Sequence, residues 1–209
     1  MARPSNSGTL LGDSTSNGNG ASGGINTGGQ AWGLYAVNGA VSAAVRPFTG
    51  GSLTIGQSVT IDFDTGSLDS GNGPPSVGIG LQTLDGGTIA TNRIQFLFTS
   101  GDASYSMQVG ASTINSGVGF TTGGLHLTFT LTAANTMNLT VGSLNGSNGG
   151  TNSVFTGLSL GGVSGSGISQ IRLFDSDAGS ASNQDVYFNN LAVVPEPSTF
   201  ALIATGGLA

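Results

Sequence analysis

The chain has 209 residues with no cysteine and no lysine, and only one glutamate, one histidine and one tryptophan. Each shortage closes a class of function. Without cysteine there is no disulfide scaffold and no thiolate-bound zinc or iron–sulfur cluster. Cations are limited to Arg3, Arg46, Arg93 and Arg172, scattered along a chain of net charge −6, so there is no basic patch and nucleic acid is excluded as a partner. Charged residues make up 7% of the chain, against about 25% in an average soluble domain. One histidine cannot build a histidine-rich metal site. Met1-Ala2-Arg3-Pro4-Ser5 is not followed by the apolar run of a secretory leader. Two readings stay open there: a cytoplasmic chain, or one whose true start is missing.

What is present is apolar residue enough for a core, 37% of the chain, together with 38 glycines. Disorder would need fewer apolar residues and more charge. From Ala31 to Val194 the dominant pattern is period-2 alternation, which marks half-buried strands. Val59, Ile61 and Phe63 alternate with Thr60, Asp62 and Asp64. Leu125, Leu127, Phe129 and Leu131 alternate with His126, Thr128 and Thr130. The same rhythm runs through 94–98, 105–109, 137–141, 154–160, 171–175 and 186–193, and no stretch shows helical spacing. Asn38-Gly39 predicts a tight hairpin between Trp32–Val37 and Val41–Phe48, because both residues tolerate positive φ. Asp85-Gly86-Gly87 predicts another, and Ser100-Gly101-Asp102 and Ala133-Ala134-Asn135 predict longer hairpin loops. Pro74-Pro75 reads as a connection.

About a dozen strands at this spacing predict an all-β fold, a two-sheet antiparallel β-sandwich of the jelly-roll kind. A β-solenoid would need a fixed repeat, and none is found. The expected division is a Gly/Ser/Asn-rich N-terminal segment over 1–30, read also as truncated first strands, a sandwich over 31–194, and a distinct tail over 195–209. Phe200 to Ala209 is apolar or small throughout. Ten residues are half of what a spanning helix needs, about 20, so the tail reads as the short start of a transmembrane helix.

The tail, Val194-Pro195-Glu196-Pro197-Ser198-Thr199 and the apolar run after it, resembles the PEP-CTERM sorting signal. In that family a Pro-Glu-Pro triplet precedes a hydrophobic helix and then a basic cluster. The match covers Pro195, Glu196, Pro197, Ser198 and Thr199 and the first half of the helix; the basic cluster is missing, which reads as truncation. The resemblance implies export in a Gram-negative bacterium that makes extracellular polysaccharide. It also implies transient insertion in the inner membrane, recognition there by an exosortase, and a destination at the cell surface or in the matrix. The body, through Gly24–Tyr35, Ile171–Asp175 and Val186–Val193, resembles the concanavalin-A-like (laminin-G-like) sandwich.

Candidate chemistry is sparse. Glycoside hydrolysis needs two carboxyls about 5–9.5 Å apart, and the Glu-x-Asp-x-x-Glu motif of laminarinase-like sandwiches does not occur. Asp62 and Asp64 share one strand face, and that face is expected to be solvated. His126, the only possible triad base, falls on the polar side of its strand and is expected to face solvent; Gly165-Ser166-Gly167 has no helix after it and makes no nucleophile elbow. Gly78-Ile79-Gly80 is no dinucleotide site. Calcium is the candidate cofactor, through Asp175, Asp177 and Asp185 around one loop; the same residues also serve as turn formers. Glycan binding would use Trp32 and Tyr35, with Tyr105 and Tyr187 as further aromatics. Trp32 and Tyr35 have opposite parity, so at least one belongs to the core, and Trp32 is the favoured one. The expectation is therefore a non-catalytic exported surface or matrix protein, structural or adhesive in exopolysaccharide. The alternative is a lectin-like, calcium-dependent carbohydrate-binding module.

Overall fold

The computed structural model describes residues 5–17, 24–69, 73–85, 89–144, 151–162 and 167–195. Thirteen strands are seen among them: β1 Ser7–Gly12, β2 Ala31–Ala36, β3 Val41–Pro47, β4 Ser58–Thr65, β5 Ser76–Asp85, β6 Ile89–Thr99, β7 Ser104–Val109, β8 Ser112–Gly119, β9 Leu125–Ala133, β10 Thr136–Ser143, β11 Ser153–Ser159, β12 Gln170–Ser176 and β13 Val186–Val194. They form a seven-stranded sheet in the order β1-β2-β13-β4-β9-β10-β11 and a six-stranded sheet in the order β3-β12-β5-β6-β7-β8. All pairings between these strands are antiparallel, and the fold is the two-sheet sandwich that the alternation predicts. No described helix is long and apolar enough to cross a membrane. Glu196, Pro197, Ser198, Thr199 and the apolar run after them lie outside the described residues; Pro195 directly follows β13.

The alternation works as side-chain geometry requires, with odd positions of β4, β9 and β10 turned inward. Val59, Ile61, Phe63, Leu125, Leu127, Phe129, Met137, Leu139 and Val141 are buried, and face Val77, Ile79, Leu81, Ile94, Phe96, Tyr105 and Met107 of the other sheet. β8 has no counterpart in the sequence reading. It is an edge strand, Val118 is its only buried residue, and so no apolar period betrays it.

One expectation is corrected. The Asn38-Gly39 turn has the predicted positive φ at both residues, 56° and 76°, but it does not close a hairpin. β2 lies in the seven-stranded sheet and β3 in the six-stranded one, so the turn hands the chain from one sheet to the other. Asp177 steadies it by accepting a hydrogen bond from the Gly39 N–H at 2.8 Å. In the N-terminal segment, read also as first strands, Ser7–Gly12 pairs over its whole length with β2 and becomes the edge of the larger sheet. Beyond it, residues 13–17 and 24–30 fold over that sheet's outer face. There Asp13 accepts bonds from Thr15 and Asn26, which hold its carboxyl below the usual range, and Ile25 packs with Ala31 and Tyr187 in a small second core.

Candidate functional site

The opening in the fold follows from how β13 is paired. Val186, Tyr187 and Phe188 have a strand on both sides, opposite Leu34, Gly33 and Trp32 of β2 and Thr65, Asp64 and Phe63 of β4. From Asn189 onward only β4 remains. The β13–β4 register shifts between Asn189 and Ala192, and Asn190 takes a left-handed φ of 52°, a conformation asparagine tolerates better than most residues. With β2 no longer alongside, the space between this stretch and strands β3 and β12 of the opposite sheet is open. It forms a cleft of about 540 Å³. That lies within the range of roughly 300–1,000 Å³ usual for small-molecule sites.

Ile61, Ile171, Leu173 and Phe188 make its apolar floor, and Val45 and Leu191 its walls. Trp32, half-buried, stands at the rim with its ring 6.2 Å from that of Phe188. The polar lining consists of Thr27, Arg46, Asn189 and Asn190. Asn189 is fully engaged. Its amide donates to the Ile25 carbonyl at 2.7 Å and to Thr27 Oγ1 at 3.0 Å, and its oxygen accepts from the Asn190 N–H. Asn190 donates once, to Asp62 Oδ2 at 2.6 Å, and its amide oxygen has no bond among the described residues. Such a lining can take the C–H face of a ring against the aromatic and aliphatic side chains while Asn190 and Arg46 meet polar groups at the edge.

Next to the cleft, the reading of Asp62 and Asp64 as a solvated face is corrected. Both are buried, with 6% and 1% of their surface exposed. Asp62 sits opposite His126 in the β4–β9 register, and His126 Nδ1 lies 2.6 Å from its Oδ1. The histidine side chain is 42% exposed, so its outer edge does reach solvent as expected while its inner nitrogen is held by a buried carboxylate. A carboxylate that orients an imidazole is half of a charge-stabilised general base. No serine or threonine hydroxyl is hydrogen bonded to His126 among the described residues.

The structure separates the two aromatics proposed for glycan contact. Trp32 lines the cleft. Tyr35 lies on the opposite face of β2, buried over Gly8 of β1 with its hydroxyl 3.2 Å from Ser5 Oγ, and it is no platform. Tyr105 and Tyr187 are buried as well. Burial drives the Tyr105 phenol well above its ordinary pKa, and its hydroxyl donates to the Thr121 carbonyl. Asp175 is wholly buried and accepts from the Ala178 N–H, Asp177 holds Gly39, and Asp185 is buried at the start of β13. Among the described residues no three His, Asp or Glu side chains gather as a metal set. Arg46, Asn189 and Asn190 escaped the sequence reading. The one signal was the adjacent polar pair Asn189-Asn190, which interrupts an otherwise apolar strand and marks a bulge.

No family model matches the chain, and no curated protein matches it. Among solved structures it is similar to a carbohydrate esterase of a Shiga toxin-encoding bacteriophage, at 18% identity and a TM-score of 0.55, over 92% of this chain and 88% of that one. It is similar to a sialidase at 14% identity and a TM-score of 0.52, covering 81% of this chain but only 16% of the sialidase. Sheep galectin-11, solved with glycerol, is matched at 13% identity and a TM-score of 0.43. At these identities the likeness to the esterase and the sialidase is one of fold, two antiparallel sheets packed face to face.

Proposed function

We propose that this chain is a non-catalytic carbohydrate-binding sandwich, exported and sorted to the cell surface or polysaccharide matrix through its PEP-CTERM-like tail, with an exosortase as its inner-membrane partner. The observation that carries the binding half is Trp32, the chain's only tryptophan, at the rim of an apolar-floored cleft edged by Asn190 and Arg46. Pyranose rings offer a C–H face to an aromatic ring and hydroxyls to planar amides, and this lining answers both. The fold is shared with a carbohydrate esterase, so a sugar-handling role asks nothing new of it. The non-catalytic half rests on the shortage of carboxyls, and the sorting half on Pro195 to Thr199. Calcium enters as an arm of the test.

A single tryptophan makes fluorescence a local probe. Titration with a panel of bacterial exopolysaccharide fragments, with calcium and with chelator, is expected to give saturable heat together with a shift in Trp32 emission. Trp32→Ala is expected to weaken the binding sharply while the protein remains folded. No saturable heat with any sugar overturns the binding reading, and sugar turnover overturns the non-catalytic one. In an exosortase-bearing host the chain is expected outside the cell. Unchanged export after alanine replacement of Pro195, Glu196 and Pro197 sinks the sorting reading.

A further inference from the structure

We infer that the cleft selects sugars bearing a carboxylate, uronic acids above all, and that Arg46 is the group that pairs with it. This rests on the sugar-binding reading above and narrows it to one chemical class. The starting point is how the chain spends its few cations. Of the three described arginines, two are used by the fold. Arg93 is buried and donates to the Gly161 carbonyl, to Thr83 Oγ1 at 3.2 Å and to Asn135 Oδ1 at 2.7 Å. The Arg172 guanidinium lies over the Phe174 ring, 4.6 Å from its centroid, and partial burial lowers its pKa. Arg46 is different. It is exposed, and its guanidinium has no hydrogen bond or ion pair with any described residue.

Its placement is also particular. Arg46 is the one charged side chain lining the cleft, and it lines the adjoining depression of about 200 Å³ as well, beside Phe48 and Val193. The guanidinium therefore stands between the two hollows. Asp62, which meets the cleft lining through Asn190, is already held by Asn190 and His126.

A planar fork of donors beside an apolar floor suits a planar carboxylate, which can accept two parallel bonds. In a six-membered uronic acid the carboxylate projects from the ring edge. A ring resting on Trp32 thus carries it toward the rim rather than into the floor. The net charge of −6 opposes an acidic polymer at long range. That repulsion is screened beyond about 8 Å at physiological salt, while a contact pair at the cleft rim lies well inside that distance, so contact decides.

The test uses hexamers of galacturonic acid, the same hexamers as methyl esters, and galactose hexamers, titrated calorimetrically against the wild type, Arg46→Gln, Arg46→Lys and Trp32→Ala. The wild type is expected to bind the acid roughly tenfold more tightly than the ester, the difference a charge-assisted bond supplies. Arg46→Gln is expected to bring the acid-to-ester ratio close to one, and Arg46→Lys to keep part of it. Trp32→Ala is expected to weaken all three ligands. Equal binding of acid and ester by the wild type overturns the inference while leaving the sugar reading intact, and so does a ratio that Arg46→Gln does not change. Failure of every hexamer and every exopolysaccharide fragment to bind overturns both. Arg46 is exposed, so loss of folding does not confuse the result, and melting curves check it.

Discussion

Phe63 has rings on both sides, and the two sides differ. Toward β6 and β7 it meets Phe96 at 6.4 Å and Tyr105 at 5.9 Å, both almost fully buried. Toward β13 and β2 it meets Phe188 at 5.7 Å, and Phe188 meets the half-buried Trp32 at the cleft. The ring contacts are of similar quality throughout. What changes is the backbone around them: on the first side the sheet continues through β6, β7 and β8, and on the second the pairing ends where β2 leaves β13. A cleft here costs no special side chains. It is what a continuous aromatic core becomes when one strand stops short.

The comparison breaks if both sides carry equal stability. Phe96→Ala is expected to cost about 3–5 kcal/mol in urea unfolding, the range for a fully buried phenylalanine, and Trp32→Ala less, about 2 kcal/mol, because part of its ring is already open to solvent at the cleft. Equal losses would place Trp32 in the core and remove the opening. The closed side also contains a titratable group. Desolvation raises the Tyr105 pKa above 10.0, so the folded chain keeps a proton that the unfolded chain gives up. Stability from this group is complete below pH 10 and falls as the pH rises above it, by about 1.4 kcal/mol per pH unit. Tyr105→Phe is expected to flatten this alkaline slope, at a cost of about 1 kcal/mol near neutrality for the lost bond to Thr121. Unfolding midpoints measured from pH 8 to 11 on both proteins check the sign, and parallel slopes refute it.

Much of the closed side was legible in the sequence. The alternations in β4, β9 and β10 name the inward residues directly, because a strand turned toward a core has no other way to place them. The opening was not legible, for physical reasons that differ by residue. Asn38-Gly39 specifies a turn through its left-handed φ, but turn chemistry does not say which sheet the next strand joins. Asp62 and His126 are 64 positions apart, and only the β4–β9 register makes them neighbours. Parity correctly divided Trp32 from Tyr35, but the faces had further covers that no period reports: β1 beside Tyr35, and nothing beyond Phe188. Arg46 gave no signal, since an exposed arginine on an edge strand looks the same whether or not a cleft lies beside it.

The smallest expected effect sharpens the comparison most, because it lies on the strand that passes from one side to the other. Val186 and Val193 both belong to β13; Val186 is fully buried between two strands, while Val193 is 40% exposed at the depression adjoining the cleft. Lysine at Val186 would be an unpaired charge in the core, and the chain would not fold. Val193→Lys is expected to change stability by no more than about 0.5 kcal/mol, because the stem can lie along Leu191 and Phe48 while the ammonium reaches water. The same charge also guards an edge that could otherwise pair with another chain. Thermal melting of the variant decides the matter. A loss of several degrees would mean that β13 is covered beyond Asn189 and that the cleft is closed in solution; an unchanged melt, with sugar binding retained, would mean that the edge is as open as its pairing indicates.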